Sequence, residues 1–341
     1  MKKLLKKIKI LFLGISFSLM LIPQNVSAQE KIRIGFLDTG VFSEMFEKDT
    51  LAIGYNFVED TEDTSDLIGH GTAVSSIWLC SKYSLDNAVI VPFVVQTKVE
   101  DKIVSLTADE LAVAIIKAID VYNCDILNIS MGITQTSDAL TNAVLYAEEK
   151  NVIILSAVGN DGDDRLYYPA TYETVIGIGS LDISGNPSKF SQENASLALV
   201  AQGEGVEITG LEGKDILTNG TSYATAVATA EIVPYVRQNE KIDAKTLRTA
   251  LYRTAIDINS FGYDQKTGYG KIDTKSANDY LINHGEQLTN PKENDQESVT
   301  GIEENENNLD EKNNGIGLLV IAVIVCVLAL FFLIKLRNCN D

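Results

Sequence analysis

The sequence has 341 residues, of which 45% are hydrophobic, enough for one or two domains with a buried core. This composition excludes a chain that is disordered throughout. The formal net charge of −19 argues against nucleic acid or an anionic membrane surface as the main partner, because both are themselves negatively charged.

The N-terminus has the three parts of a secretory signal peptide. Five lysines between Lys2 and Lys9 precede an apolar run from Ile10 to Ile22, and small residues follow at Val26-Ser27-Ala28. The apolar run is shorter than the roughly 20 residues that span a bilayer, so an uncleaved anchor is the weaker interpretation. We predict a signal peptide over residues 1–28, cleaved after Ala28.

Apolar runs typical of strands alternate with helical patterns between residues 29 and 284, which we interpret as one folded domain. Several runs are continuous rather than alternating, as expected for strands covered on both faces. Thr107 and Glu110 form a capping-box pattern, and a second helix is predicted from Ser137 to Lys150. The predicted strands are Ile32–Leu37, Ala88–Val95, Asp125–Ile129, Val152–Val158, Val175–Ile178 and Leu197–Val200. We therefore predict an α/β domain with a mostly parallel central sheet, whose functional groups gather at the carboxyl ends of strands.

Asp38 is the first candidate functional residue, because a predicted strand gives way to a turn at Leu37-Asp38-Thr39-Gly40. Aspartic proteases use the same tripeptide, but they need two carboxylates that share one proton, and the chain has no second Asp-Thr/Ser-Gly. A homodimer could supply the second copy, and an ordinary turn aspartate is a further alternative.

His70 lies in Gly69-His70-Gly71-Thr72, ahead of an apolar helix predicted over Ala73–Leu79. The only other histidine, His284, borders the folded domain with no predicted strand or helix to position it. A histidine that acts as a general base is therefore His70, although the motif alone is more typical of a capping or core histidine.

Ser222 lies in Asn219-Gly220-Thr221-Ser222, at the start of a predicted helix that is rich in small residues. The dipole and free N–H groups at a helix start favour a developing negative charge. Small side chains also let the helix pass close to neighbouring backbone. An ordinary serine N-cap on a buried Ala-rich helix is the alternative.

The C-terminal part differs in composition from the folded domain. Residues 285–314 are rich in Glu, Asn, Asp, Gln and Lys and predict a flexible acidic stalk. Gly315–Ile334 is uncharged, apolar and of membrane-spanning length, whereas a buried core helix, the alternative, normally carries a polar face. Lys335 and Arg337 follow it and favour the cytoplasmic side. We predict a transmembrane helix over 315–334, a cytoplasmic tail over 335–341 and an extracellular domain on a single-pass cell-membrane protein.

The motifs Asp-Thr-Gly, His-Gly-Thr and Gly-Thr-Ser, in this order, resemble those of the subtilisin-like serine peptidases, the subtilases. The resemblance covers roughly Lys31 to Asn283. Ser156-Ala157-Val158-Gly159-Asn160 also ends a predicted strand where the family keeps its oxyanion-hole asparagine, and Gly268-Tyr269-Gly270 is similar to the glycine pair before its last helix. The resemblance implies a three-layer subtilisin-like fold with helices on both faces of the sheet, in a membrane-anchored bacterial type of subtilase.

The family's chemistry implies a role for each motif residue. Ser222 would attack the peptide carbonyl, His70 would take its proton, and Asp38 would orient His70. The Asn160 side chain and the Ser222 backbone N–H would bind the oxyanion.

The resemblance also implies where substrate binds. Ser130, Met131 and Gly132 match the family's substrate-binding strand. By family position, Tyr167 lies near the base of the primary specificity pocket, where a bulky side chain favours small or medium substrate residues. Three nearby acidic residues could instead attract a basic substrate residue, although a solvated acidic loop is also consistent with them: Asp161, Asp163 and Asp164.

Some features depart from the family pattern. Ala226 stands where the family usually has proline, and Ile133 follows Gly132 where a second glycine is common, but neither position supplies a catalytic group. The stretch from His70 to Pro92 lacks the Asn-rich loop that holds calcium in secreted relatives, so we expect no calcium there. Nor do we expect any other metal or cofactor.

The segment before the first strand and the cysteines lead to two further expectations. Only Gln29 and Glu30 separate the predicted cleavage site from the first strand region, so we expect no inhibitory prodomain. Cys80 and Cys124 would face an oxidising exterior, where a disulfide and two separate core thiols are both open interpretations.

Two functions are consistent with the sequence. The first is an active endopeptidase, held at the membrane, that hydrolyses peptide bonds of secreted or surface proteins through an acyl-enzyme intermediate. The second is a catalytically silent subtilase that serves as a surface binding module. All three triad residue types are present, which favours the enzyme. We expect protein or peptide substrates, membrane attachment through the C-terminal helix and no nucleic-acid partner.

Overall fold

The computed structural model describes residues 31–79, 83 and 87–289. The predicted signal peptide, transmembrane helix and tail lie outside the described residues, as do residues 290–314 of the predicted stalk and Cys80. Cys124 is a buried free thiol. None of the helices within the described ranges is both long and apolar enough to cross a membrane.

Strands and helices alternate along the described chain. The strands are β1 (Ile32–Asp38), β2 (Tyr55–Asn56), β3 (Ala88–Val94), β4 (Gln96–Val99), β5 (Lys102–Ser105), β6 (Ile126–Ile129), β7 (Ile153–Ala157), β8 (Val175–Leu181), β9 (Leu199–Gln202), β10 (Val206–Thr209) and β11 (Asp215–Thr218). The α-helices are α1 (His70–Ser76), α2 (Ala108–Asp120), α3 (Asp138–Glu149), α4 (Thr221–Gln238), α5 (Ala244–Thr254) and α6 (Thr274–Thr289), and Ser43–Met45 and Ile77–Leu79 are short 3-10 helices.

Seven of these strands form one parallel sheet in the order β2-β3-β1-β6-β7-β8-β9. All six predicted strands lie in it, so the predicted α/β fold with a mostly parallel sheet is confirmed. Two antiparallel hairpins, β4–β5 and β10–β11, stand apart from this sheet. Their strands are four residues long and β5 is exposed throughout, so they lack the continuous apolar pattern that identified the others.

Apolar layers cover both faces of the sheet, which explains the continuous apolar runs. Within β1, Ile34 and Phe36 belong to a buried cluster with residues of α1, α4, α5 and α6. Leu37 belongs instead to a cluster on the opposite face, with residues of α2 and α3. Because successive side chains of a strand point to opposite faces, both registers must be apolar. The result is the three-layer arrangement that the sequence predicted.

The helix starts follow the predicted capping chemistry. The Thr107 side chain accepts a hydrogen bond from the Glu110 backbone N–H, and the Glu110 carboxylate accepts one from the Thr107 N–H at 2.8 Å. The Ser137 hydroxyl caps α3 by accepting from Leu140 N at 3.1 Å. The side chains that α3 buries include Leu140, Val144 and Ala147.

The last described helix is one that the sequence analysis did not predict. Helix α6 continues to Thr289, five residues past the predicted end at 284, and it includes His284, for which we predicted no helix. The His284 ring stacks on Tyr280 at 4.5 Å between centroids. A single glycine such as Gly285 costs a helix only about 1 kcal/mol, which good helix formers beside it can offset.

Candidate active site

The carboxyl edge of the central sheet gathers most of the candidate residues. Strands β1, β6 and β7 are neighbours and parallel, so their carboxyl ends meet at one edge. Asp38 is the last residue of β1, Ser130 follows β6, and Asn160 lies three residues after β7. His70 begins α1, and Ser222 is the second residue of α4.

Asp38 and His70 form a direct pair. The Asp38 side chain is 1% exposed, and its Oδ1 lies 2.7 Å from His70 Nδ1. Thr39 N donates to the same oxygen at 2.8 Å and fixes the carboxylate. Because Nδ1–H donates to the carboxylate, Nε2 is the accepting nitrogen of the neutral ring. The His70 side chain is 31% exposed, so the ring can reach substrate.

The glycines of both motifs allow the two loops to approach each other. A Cβ on Gly71 would lie 2.2 Å from the Gly40 carbonyl oxygen and 3.1 Å from Asp38 Oδ1. Gly40 has a φ of +102°, and a Cβ there would lie 2.4 Å from the Thr64 carbonyl oxygen. Any larger residue at position 71 would therefore push the start of α1, and with it His70, away from Asp38.

The surroundings of His70 make it more basic than an ordinary histidine. Burial of the ring lowers the pKa of His70, but the negative charge of Asp38, its hydrogen bond and the charge of Asp66 outweigh burial, so the net pKa is raised above the ordinary value of 6.5. A base with a raised pKa is a stronger proton acceptor once it is neutral.

Ser222 is 6% exposed and lies in the first turn of α4. Its neighbour Tyr223 brings that turn to the histidine, since the two ring centroids are 6.0 Å apart. No hydrogen bond joins Ser222 to His70 within the part of the chain that the structure describes. In enzymes without substrate this contact is often long and tightens only in the substrate complex.

Helix α4 is held against the sheet by small and polar buried side chains. Ala224, Ala226, Ala228 and Ala230 are at most 5% exposed, as close helix–sheet packing requires. Asn128 of β6 has its Oδ1 2.9 Å from Thr229 Oγ1 of α4, and its Nδ2 donates to Ser130 Oγ at 2.8 Å. Ser130 Oγ in turn donates to the carbonyl oxygen of Ser222 at 2.9 Å. The predicted substrate strand is thus tied directly to the serine.

The side-chain amide of Asn160 has a defined orientation. Its Oδ1 accepts hydrogen bonds from Thr221 N at 2.8 Å and Thr221 Oγ1 at 2.9 Å. A backbone N–H can only donate, so the oxygen must face Thr221 and the Nδ2 group must point away from it. No described residue accepts a hydrogen bond from Nδ2, which leaves that donor available to a ligand beside Ser222.

A pocket of about 230 Å³ opens next to Thr221, the residue that precedes Ser222. Its lining includes all four predicted substrate-binding residues, namely Ser130, Met131, Gly132 and Tyr167, together with Ala157, Gly159, Asn160, Asp161 and Thr221. The Tyr167 side chain lies directly between two glycines of the lining, Gly132 and Gly159. A Cβ on Gly132 would lie 2.8 Å from a side-chain atom of Tyr167, and a Cβ on Gly159 would lie 2.6 Å from another.

The three acidic residues near this pocket differ in their surroundings. Asp161 accepts a hydrogen bond from the Tyr167 hydroxyl at 2.7 Å and lies 3.4 Å from the Arg165 guanidinium. Asp163 also pairs with Arg165, at 3.5 Å. Asp164 is exposed and does not line the pocket. Arg165 therefore offsets part of the negative charge that a basic substrate side chain would encounter.

Sequence reasoning missed the residue that fixes this loop, Gln192. Its side chain is fully buried, and Oε1 accepts hydrogen bonds from Asp161 N at 3.1 Å and Asp163 N at 3.0 Å. Its Nε2 donates to Asp163 Oδ1 at 2.7 Å and to the Arg165 carbonyl at 3.1 Å. Gln192 lies in a polar stretch without periodicity, so the sequence carries no signal that it is buried.

Comparison with known proteins identifies close similarities over the same region. Residues 29–270 match the model of the subtilase family. A thermophilic serine proteinase of Bacillus sp. (strain AK1) is 31% identical over 266 residues, which are 76% of this chain and 64% of that protein. The minor extracellular protease Epr of Bacillus subtilis (strain 168) is 29% identical over 251 residues, 72% of this chain and 38% of that protein. The chain thus spans less than two thirds of the length of both relatives.

Solved structures share the fold. The crystal structure of a lanthipeptide protease superposes with a TM-score of 0.64 at 21% identity, covering 73% of this chain and 87% of that one. The match of residues 29–270 to the family model includes the Asp38, His70, Asn160 and Ser222 motifs. The chain therefore belongs to the subtilase family.

Proposed function

We propose that this protein is a serine endopeptidase that uses Ser222 as nucleophile, His70 as general base and Asp38 as the orienting carboxylate. The contact of 2.7 Å between the buried Asp38 carboxylate and His70 Nδ1 carries the proposal, because it leaves Nε2 free to accept a proton at a partly exposed position. The relative named as a serine proteinase supports the same chemistry.

Each of these groups has one role in the proposed reaction. Ser222 Oγ attacks the substrate carbonyl carbon while His70 Nε2 takes the hydroxyl proton, and the imidazolium is stabilised by Asp38. The carbonyl oxygen becomes an oxyanion, to which Asn160 Nδ2 and the Ser222 backbone N–H donate. His70 then returns the proton to the leaving amine, which departs and leaves the acyl-enzyme. Water, activated by His70, hydrolyses the ester and restores Ser222.

The pocket beside the serine would receive the substrate side chain that precedes the scissile bond. Ser130, Met131 and Gly132 line the pocket directly after β6, where they would contact the substrate backbone, and Tyr167 takes up much of the space between the pocket walls. A small or medium side chain therefore fits better than a large one. The pairing of Asp161 with Tyr167 and Arg165 argues against a basic side chain.

A fluorophosphonate probe distinguishes the enzyme from a catalytically silent binding module, because it phosphonylates only an activated serine. We expect the wild-type protein to be labelled and Ser222→Ala to lose labelling completely. Ser184→Ala, which changes an exposed serine outside the pocket, serves as the control and should label like the wild type. Equal labelling of the wild type and Ser222→Ala would contradict the proposal.

We also propose that the protease domain is held outside the cell by one C-terminal membrane helix. The uncharged run Gly315–Ile334, the positive residues after it and the signal-like pattern over 1–28 support this topology. Detergent-dependent extraction of the full chain from membranes, with the domain digestible by protease added to intact cells, tests it. Recovery of the intact chain in the soluble fraction would contradict it.

A further inference from the structure

Asp66 is a buried carboxylate in the loop that leads into His70. It is 8% exposed and accepts five hydrogen bonds. Oδ1 accepts from Thr39 Oγ1 at 2.8 Å, Ile68 N at 3.0 Å and Gly69 N at 2.7 Å. Oδ2 accepts from Thr72 N at 2.8 Å and Thr72 Oγ1 at 2.7 Å. An ionised carboxylate in a buried place is tolerated when several donors face it, as they do here.

The five donors come from both sides of the Asp38–His70 pair. Thr39 directly follows Asp38 at the end of β1, whereas Gly69 and Thr72 flank His70 at the start of α1. Thr39 Oγ1 donates to Asp66 and also accepts from Gly71 N at 2.8 Å, which adds a second connection between the two motifs. One carboxylate thus joins the strand end that carries Asp38 to the helix start that carries His70.

This arrangement gives a physical reason for the threonines in both motifs. In the sequence, Asp-Thr-Gly and His-Gly-Thr were candidate motifs because of their aspartate and their histidine. Neither threonine had a role in that interpretation. Both hydroxyls donate to Asp66, and the Thr72 hydroxyl also accepts from Phe42 N at 3.0 Å. Within the described residues no lysine or arginine pairs with Asp66, so the carboxylate depends on these donors.

We propose that Asp66 is a positioning residue, which fastens the end of β1 to the start of α1 so that His70 and Asp38 meet in the geometry that catalysis needs. The proposal rests on the proposed protease function and extends it to a residue that touches no substrate. Asp66 has a second effect, because its negative charge acts together with Asp38 to raise the pKa of His70.

Among the described residues, few charged or titratable groups face the His70 ring. Asp38 faces it from β1, Asp66 from the preceding loop, and Tyr223 from α4. Helix α1 itself carries no charged side chain besides His70. The hairpin β10–β11, whose strand β10 packs against α1, carries exposed charges at Glu207, Glu212, Lys214 and Asp215, of which Glu212 and Lys214 pair with each other at 2.6 Å.

The test compares Asp66→Asn with Asp63→Asn in the full chain. Asp63 is an exposed carboxylate in the same loop and is therefore the matched control for loss of one negative charge. We expect Asp66→Asn to lower kcat for a chromogenic peptide by roughly 10- to 100-fold, the scale on which a misplaced catalytic group costs rate, with KM nearly unchanged. The acid limb of kcat/KM should move to lower pH in Asp66→Asn and stay in place in Asp63→Asn.

A direct titration of His70 keeps this test independent of activity. The chain has only two histidines, so the Hε1 resonances of His70 and His284 can be followed together by NMR. Asp66→Asn should lower the pKa of His70 and leave His284 as an internal reference. Unchanged titration of His70 together with wild-type kcat would overturn the proposal, as would a change in KM alone.

A second pair of variants covers the case in which Asp66→Asn does not fold. Thr39→Val removes the hydroxyl between Asp66 and Gly71 without changing any charge, and Thr39→Ser restores it. We expect a lower kcat for valine and recovery with serine, and equal kcat for both would overturn the proposal. A wild-type protein that fails to react with fluorophosphonate would count against the protease function instead, while the histidine titration would still test Asp66.

Discussion

Replacement of Asn160 tests how much one oriented donor contributes to the proposed reaction. The amide oxygen is occupied by Thr221 N and Oγ1, so Nδ2 is the end that is left to donate to the oxyanion of the proposed reaction. Loss of one such donor typically costs about 2.7–4 kcal/mol of transition-state stabilisation, which corresponds to about 10²–10³ in kcat. Because the oxyanion forms only after attack, KM should change little in Asn160→Ala.

The same variant also has a structural cost that must be separated from the catalytic one. Asn160→Ala leaves the N–H of the fully buried Thr221 without its acceptor, which costs about 1–3 kcal/mol of stability. Asn160→Asp is the matched variant, since it keeps an oxygen opposite Thr221 and replaces only the donor. We expect Asn160→Asp to keep a melting temperature near that of the wild type and still lose at least as much kcat.

The assay is steady-state hydrolysis of a chromogenic peptide, with the active enzyme counted by fluorophosphonate titration and stability followed by thermal unfolding. The two variants should share a large loss of kcat but differ in melting temperature. If kcat fell only in proportion to folded protein in Asn160→Ala and stayed at the wild-type level in Asn160→Asp, the oxyanion role of Asn160 would be wrong.

Three further predictions concern specificity, pH dependence and backbone packing. Tyr167→Ala should raise kcat/KM for peptides with Phe before the scissile bond by about 10- to 100-fold, compared with peptides that have Ala at that position. This factor corresponds to the burial of one aromatic side chain. An unchanged cleavage profile from a peptide library would contradict the prediction. Because His70 must be neutral to act and its pKa is raised above 6.5, wild-type kcat/KM should fall as pH drops through a value above 6.5. Asp38→Asn should shift this fall in kcat/KM to lower pH and reduce kcat by about 10⁴-fold. A fall in kcat/KM at the same pH as in the wild type would refute the functional pairing of Asp38 with His70. Gly71→Ala should lower the free energy of unfolding by more than about 2 kcal/mol in chemical unfolding, because its Cβ would lie 2.2 Å from a carbonyl oxygen. Gly210→Ala is the control and should leave the free energy of unfolding nearly unchanged, because a Cβ there would have no neighbour closer than 4.0 Å.

Much of the fold was predictable because its signals are local. The six strands that the sequence identified are buried on both faces, and burial on both faces leaves a continuous apolar run such as Ala88–Val94. The capping box at Thr107 is equally local, since its partner lies three residues away. By contrast, the hairpins and β2 are short or exposed and leave no comparable pattern.

In the candidate site, too, the features with a local sequence signal were predictable and the long-range contacts were not. The three motifs together indicated Asp38, His70 and Ser222 as candidates, and the resemblance added Asn160. Each of them stands at the end of a strand or the start of a helix that the sequence itself predicts. The sequence also placed Tyr167 by resemblance, but not its position between Gly132 and Gly159 or its hydrogen bond to Asp161. Those contacts join loops that are far apart along the chain.

The sequence by itself determined the α/β class, the positions of six buried strands along the chain and the residue types that can carry acyl transfer. Only the tertiary structure decided how those residues are held. Gln192 fixes the loop after Asn160 from about 30 residues away, and Asp66 joins Asp38 to His70 through five donors. The physical reason is that a buried polar side chain is recognised by its partners, and these partners are brought together only when parallel strands align their carboxyl ends at one edge of the sheet.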